Sequence, residues 1–525
     1  MSFKNELTYL HEVEDNAEER FDDTYYTAIK LVMEDFEKEE VLPNIIAGKG
    51  TRSKATFEKR SPADNSVLMA RFQRGTKEDV NKAVRAAREA FRTWSSTDYA
   101  ERVKIFEKAA RVLSDHKYEL AAALTFDNGK NRYEALADID EAIDFLRFYA
   151  SEVKRNDGYA TPLPPAYTNE RSESLLRPYG VWAVVCPFNF PVAISLGMAA
   201  AALITGNTVV IKPSTTAPYT LHKAFKLLEE AGLPDGVANY VAGSGKDVGG
   251  PLVAHPGIDG VVFTGSRAVG YDIMRGALRD KPIPVIAEMG SKNPVIVCMD
   301  ADSEKALNGV IASSFGYSGQ KCSACSRVYI PFRMLDDFEE ELVERTKKLR
   351  VAHPALKECN LGPVIEDSKV DDYLKFTAMG AKDGKLLCGG RRATEGGLDK
   401  GYYVEPAIIS GLKNDHWLMQ NELFLPILCT QGYDRLEEAV DMANSGPYGL
   451  TAGIFSEDDE DLNYFMNNIQ SGVVYANRKR GACTGAMVGA QPFVGWKASG
   501  STGKGTGGVW YLQQFLREQT RTFVL

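Results

Sequence analysis

Between Gly180 and Asp300 the chain repeats one pattern, a short apolar, β-branched run followed by a helix-length segment. The runs are VWAVVCPF, NTVVIKPS, VANYVAG, GVVFTGS, PVIAEMG and PVIVCMD. Strands apolar on both faces need cover on both faces, and intervening helices supply it. The segment therefore predicts a parallel, doubly wound sheet, an architecture that binds ligands beyond the carboxyl ends of its strands. After Cys325, the runs RVYIPF, AIISGL, LPILCT, LTAGIFS and GVVYANR predict a second α/β domain. With 525 residues, 44% of them hydrophobic, two or three domains can each bury a core.

Other segments frame these two. Residues 1–40, rich in acidic and aromatic side chains, read as a helical arm. TKEDVNKAVRAAREAF sets Val80, Val84, Ala87 and Phe91 on one helical face, with Thr76 and Asp79 spaced as a capping box. ERVKIFEKAARVL repeats the pattern with Val103, Phe106 and Ala110. Residues 158–180 are Pro-rich and then extended, and the tail YLQQFLREQTRTFVL is extended too. Two such pieces, distant in sequence, predict an edge ribbon that pairs with another subunit.

The charge balance, 62 basic against 71 acidic residues for a net −9, contains no basic block. That argues against nucleic acid or a membrane surface as partner and favours small molecules. The first twenty residues lack the apolar core of a signal peptide. The longest greasy stretch, Leu196 to Ile204, falls short of the roughly 20 residues a membrane span needs. A soluble, cytoplasmic chain is expected, with its eight cysteines kept as thiols.

Cys322 and Cys325 form a C-x-x-C within SGQKCSACSRVYI. A structural zinc would want a second Cys/His pair at similar spacing, and the other cysteines and histidines form none. A thioredoxin-like pair belongs near the start of a compact domain, not deep in a long chain. A lone cysteine is ordinarily a small buried hydrophobe. The setting of Cys322, between Gly319, Gln320, Lys321, Ser323 and Ser326, is instead polar and opened by glycine, which suits a nucleophile. Cys325 precedes a strand and is expected to pack.

Among the glycine-rich stretches, GSGKDVG and GSTGKGTGG complete no phosphate-binding motif. FTGSRAVG follows a strand and opens a helix, so its N–H groups after Gly265 and Ser266 suit a phosphate, as they suit an ordinary strand-to-helix turn.

Taken in order, CPFNFP, VVIKPSTTAP, FTGSRAVG, IAEMGSKNP, GQKCSACSR, NELFLP and QPFVGWKASGSTGKGTGG resemble the motifs of the aldehyde dehydrogenase superfamily across nearly the whole chain. Within it, GQKCSACSR, GACTGAMVGAQPF and the helical leader are most like the group that oxidises L-glutamate γ-semialdehyde in proline catabolism. The resemblance implies Cys322 as nucleophile, Asn189 as oxyanion donor beside the Cys322 N–H, and Glu288 as the base for deacylating water. It implies NAD as cofactor, held by Lys212, Ser214, Thr215, Gly265, Ser266, Glu422 and Phe424. Thr215 stands where NAD-preferring relatives often carry a glutamate, so NADP is possible as well. Ser323, Gly485 and Ala486 match the substrate's carboxylate anchor, and no metal is implied.

Three departures from the family pattern, Thr215, Ser291 and Val494, fall near these positions. The alternative substrates are 2-oxoglutarate semialdehyde and a broad range of aliphatic aldehydes. The implied organisation is a helical arm over 1–40, an NAD(P)-binding domain from 41–157 and 181–287, a catalytic domain over 288–480, and an oligomerisation ribbon from 158–180 and 505–525. A homo-oligomer is expected.

Overall fold

Five of the six apolar runs in the first series become neighbouring strands. In the computed structural model, which describes residues 17–38, 40–51, 55–277, 282–479 and 487–525, they are ordered Val285–Glu288, Gly260–Thr264, Val181–Val185, Thr208–Lys212 and Ala238–Tyr240. All four pairings between them are parallel. Ile45–Ile46 and Lys49–Gly50 extend the sheet by antiparallel pairing. From Val181–Val185 the chain moves first to one side and then to the other. The order therefore reverses between that strand and Gly260–Thr264, which opens a crevice at their carboxyl ends.

The sixth run corrects the sequence expectation. Asn293–Val297 lies in the middle of the second sheet, paired in parallel with Cys325–Pro331 and Thr451–Phe455. It is buried on both faces, and so is most of Val285–Glu288; an apolar run says that a strand is covered, not which sheet takes it. The second sheet runs Lys385–Cys388, Ala407–Ser410, Ile427–Tyr433, Cys325–Pro331, Asn293–Val297, Thr451–Phe455, Val473–Ala476. Its first strand alone pairs antiparallel.

The helix Lys77–Trp94 starts at the expected capping box: Asp79 N–H donates to Thr76 Oγ1, and Thr76 N–H donates to Asp79 Oδ2. It buries Val80, Val84 and Ala87 against the first sheet. The helix Ala17–Glu37 packs on the body through Tyr25, Val32 and Phe36. Tyr25 donates to the Ala121 carbonyl at 3.0 Å, and Asp35 pairs with Lys223 at 2.6 Å.

The two extended segments pair with each other. Leu516–Val524 lies antiparallel to Glu170–Pro178, and Ala160–Leu163 adds a third strand. No helix among the described residues is long and apolar enough to cross a membrane.

Candidate active site

Cys322 lies between a strained turn and a strand. After the helix Ser303–Phe315, Tyr317 and Ser318 adopt left-handed backbone at φ 49° and 53°, followed by Gly319 at 69°. A side chain at Gly319 would meet the Leu425 carbonyl oxygen at 2.3 Å, so the close approach requires glycine. The chain then enters Cys325–Pro331, where Cys325 is buried in the core of the second sheet with its thiol facing the Arg327 carbonyl at 3.5 Å. Cys322 is partly exposed instead, and both thiols are free. The two cysteines thus occupy different surroundings.

Cys322 stands where two cavities meet. One is a cleft of about 820 Å³ at the strand-order reversal of the first sheet. Asn189, Lys212, Ser214, Gly265 and Ser266 line it from the first sheet's side, and Glu422 and Phe424 from the second's. Thr215 does not line it. The other is a small cavity walled by Glu141, Phe190, Glu288, Phe493 and Thr506. Thr264, Met289 and Cys322 belong to both.

The cleft has the features of a nucleotide site. Ser266 caps the helix Arg267–Gly276, whose N-terminal N–H groups suit a phosphate. A Cβ on Gly265 would collide with the Phe263 ring at 2.6 Å, and one on Gly290 with Glu422 Oε2 at 2.3 Å. Lys212 is buried, donates only to the neighbouring Pro213 carbonyl at 2.9 Å among its described hydrogen bonds, and has its pKa lowered by burial. Phe424 is held at φ 58° with its ring edge-on to Phe188 at 5.7 Å. Gly245 and Gly249, from a stretch that completes no motif, line the cleft too.

The acidic groups around Cys322 are short of water. Burial raises the pKa of Glu288 well above the usual carboxyl range, against the lowering effect of the Gly495 N–H. A carboxyl so raised is a strong base once ionised. Glu422, little exposed, is pushed up to about 7 by loss of water, although it accepts the Ser291 N–H at 2.8 Å. Burial raises the Cys322 thiol strongly, reinforced by Glu422, Glu288 and Glu141, so the resting sulfur is protonated.

Asn189 is buried, and among the described residues none bonds its side-chain amide. Ser323 is buried with no described partner for its hydroxyl. Gly485 and Ala486 lie outside the described residues. Of the departures, Ser291 supplies the N–H that Glu422 accepts, and its hydroxyl accepts from Asn293 Nδ2 at 3.0 Å. The Val494 carbonyl oxygen sits where a Cβ on Gly472 would come within 2.0 Å.

Two residues of the site had no signal in the sequence. Glu141 lies within the helix Arg132–Arg155, in a run of acids that would ordinarily face solvent, yet it is buried on the cavity wall with its pKa raised well above normal by burial, Asp138 and Asp144. Asn293 donates to the Cys322 carbonyl at 2.7 Å and the Ala324 carbonyl at 2.9 Å, and accepts the Thr451 N–H at 2.9 Å. It pins the cysteine loop to the second sheet.

A nucleotide-sized cleft at the reversal of a doubly wound sheet, with the Cys322 thiol and the Glu422 carboxyl at its wall, is the arrangement of a nucleotide-dependent oxidoreductase. The chain belongs to the aldehyde dehydrogenase family, whose model matches residues 50–521. It is similar to 1-pyrroline-5-carboxylate dehydrogenase of Bacillus cereus (strain ATCC 10987 / NRS 248), 38% identical over 489 residues, covering 92% of this chain and 93% of that protein. The structure of 1-pyrroline-5-carboxylate dehydrogenase from Thermus with bound NAD superimposes with a TM-score of 0.93 at 34% identity, covering 100% of this chain and 99% of that one. Proline utilization A from Bdellovibrio bacteriovorus gives 0.93 at 34% identity, and there this whole chain spans 53% of the other.

Proposed function

We propose that this chain oxidises L-glutamate γ-semialdehyde, the open form of 1-pyrroline-5-carboxylate, to glutamate with NAD, as a step of proline catabolism. The observation that carries the proposal is the place of Cys322 at the junction of a nucleotide-sized cleft and a small cavity walled by Glu288 and Glu141. The likeness to dehydrogenases of that name supports the substrate.

In this account the Cys322 thiol first releases its proton to water; the thiolate then adds to the aldehyde carbon, a C–S bond forms, and the carbonyl electron pair moves to oxygen. The Asn189 amide and the Cys322 N–H stabilise that oxyanion. Lys212, Ser214, Gly265, Ser266, Glu422 and Phe424 would hold NAD, which would supply a positive ring favouring the thiolate and an acceptor for hydride from the same carbon. A thioester remains on Cys322. Glu288 takes a proton from water as the water adds, the C–S bond breaks, and the thiolate is restored. Thr215, outside the cleft but next to its lining residue Ser214, brings no charge there to repel a 2′-phosphate, so NADP is accepted as well, less well than NAD because no arginine lies beside Lys212.

We assign the substrate's α-carboxylate to Ser323, Gly485 and Ala486, as the family resemblance implies, and its α-ammonium to Glu141, which walls the cavity. Residues 1–40 form the arm, 41–157 and 181–287 the cofactor domain, and 288–480 the catalytic domain. Segments 158–180 and 505–525 assemble the homo-oligomer through the exposed edge of Leu516–Val524. Light scattering that finds a monomer at assay concentration would remove the assembly claim. The free thiols among the described cysteines fit a cytoplasmic enzyme.

The test is a substrate panel read at the absorbance of reduced nicotinamide. Glutamate semialdehyde should exceed propanal in kcat/KM by roughly 10² or more, because a site built for polar groups rejects a substrate lacking them. Glu141→Gln should narrow that gap while sparing propanal. If propanal or 2-oxoglutarate semialdehyde is preferred, the substrate assignment fails.

A further inference from the structure

We propose that Asn128 and Tyr317 are positioning residues for the oxyanion hole, locking the loop that carries Asn189 to the loop that carries Cys322. The inference rests on the roles proposed above for Asn189 and Cys322. The Tyr317 hydroxyl donates to the Asn128 carbonyl at 2.8 Å. Asn128 Nδ2 in turn donates to the Phe188 carbonyl at 3.2 Å and to the Asn189 carbonyl at 3.4 Å. Asn128 and Tyr317 are 0% and 1% exposed, and neither lines the cleft or the cavity. They act through other residues.

The bridge is needed because the two donors belong to separate elements, one following the strand Val181–Val185 and the other preceding Cys325–Pro331. Tyr317 opens the left-handed turn that aims the chain toward Cys322, a strained conformation for a non-glycine residue. Side chains hold that turn at several points, among them Tyr317 on Asn128, Ser318 Oγ on the Gly362 carbonyl at 2.7 Å, and Gln320, whose Nε2 donates to the Pro363 carbonyl at 3.2 Å and whose Oε1 accepts the Ile365 N–H at 2.9 Å. Only the first reaches the Asn189 loop. Asp138 accepts the Ala193 N–H at 2.7 Å, so the loop is fastened at Phe188 and Asn189 and again two residues past Pro191. Oxyanion donors work by being in place before charge develops, and a displacement of about 1 Å can cost about 10² in rate.

The experiment measures Asn128→Ala and Tyr317→Phe alone and combined with Asn189→Ala. Each single change should lower kcat about 10- to 100-fold. The KM for NAD and the rate of Cys322 alkylation by iodoacetamide should stay within twofold. In the Asn189→Ala background the further loss in kcat should shrink below twofold, since no amide remains to be placed. An equal fold-loss in both backgrounds, or an unchanged kcat in the single variants, overturns the proposal. Should Asn128→Ala not fold, Tyr317→Phe, which deletes one hydroxyl, carries the test alone. If Asn189→Ala itself retains full kcat, the oxyanion role is wrong and the positioning claim falls with it.

Discussion

Asn293 Nδ2 lies 2.7 Å from the carbonyl oxygen of Cys322 and 2.9 Å from that of Ala324, so one buried amide holds the backbone on either side of Ser323. Asn293→Ala leaves both carbonyls without this donor, and each orphaned buried group costs roughly 1–3 kcal/mol. A drop of about 2–4 kcal/mol in denaturant stability is expected, together with lost turnover. Asn293→Asp should do no better, because a carboxylate cannot donate. Stability within 0.5 kcal/mol of the parent, roughly the scatter of surface substitutions, would show that other contacts hold the loop.

The two cysteines should respond differently to removal. Cys322→Ala should abolish aldehyde oxidation, whereas Cys325→Ala should keep most of it and lose about 1 kcal/mol of stability from a small void in the core. Equal loss of activity from both would point to a redox pair.

The arrangement of strands was legible because covered strands must be apolar throughout, and each run of the two series is a strand. Their partition was not, since PVIVCMD differs in no local way from its neighbours and yet crosses to the second sheet. At the site, Cys322 was visible through its polar, glycine-opened loop, and Asn189, Glu288 and Glu422 through family resemblance. Glu141 was hidden because Asp138, Asp140, Glu141 and Asp144 resemble a solvated helix face. All four are buried, with Lys130 and Lys117 pairing Asp138 and Asp140 from outside the helix. Asn128 and Asn293 act on backbone carbonyls 29 to 61 residues away, contacts that leave no local pattern.

Glu422 sets a pH dependence of stability in the cofactor-free protein. Its folded pKa, pushed up from 4.5 to about 7, means the folded state holds a proton between those values that the unfolded chain has released. The stabilising contribution is therefore complete below 4.5 and is lost as pH rises through about 7. Glu422→Gln should flatten the fall in stability over that window, followed by denaturant titration at a series of pH values. An unchanged slope would assign the dependence to other groups.

Oxidation through a thioester on Cys322, which Glu288 then helps to hydrolyse, leaves a covalent trace when hydrolysis is blocked. Its most direct test is rapid mixing of Glu288→Gln with glutamate semialdehyde and NAD, quenching in acid, and mass analysis of the Cys322 peptide. A first-turnover burst of reduced nicotinamide close to one equivalent per subunit is expected, then a stall, with a glutamyl group on Cys322. Slow turnover with no burst and an unmodified Cys322, or an acyl group on Cys325 instead, would contradict it.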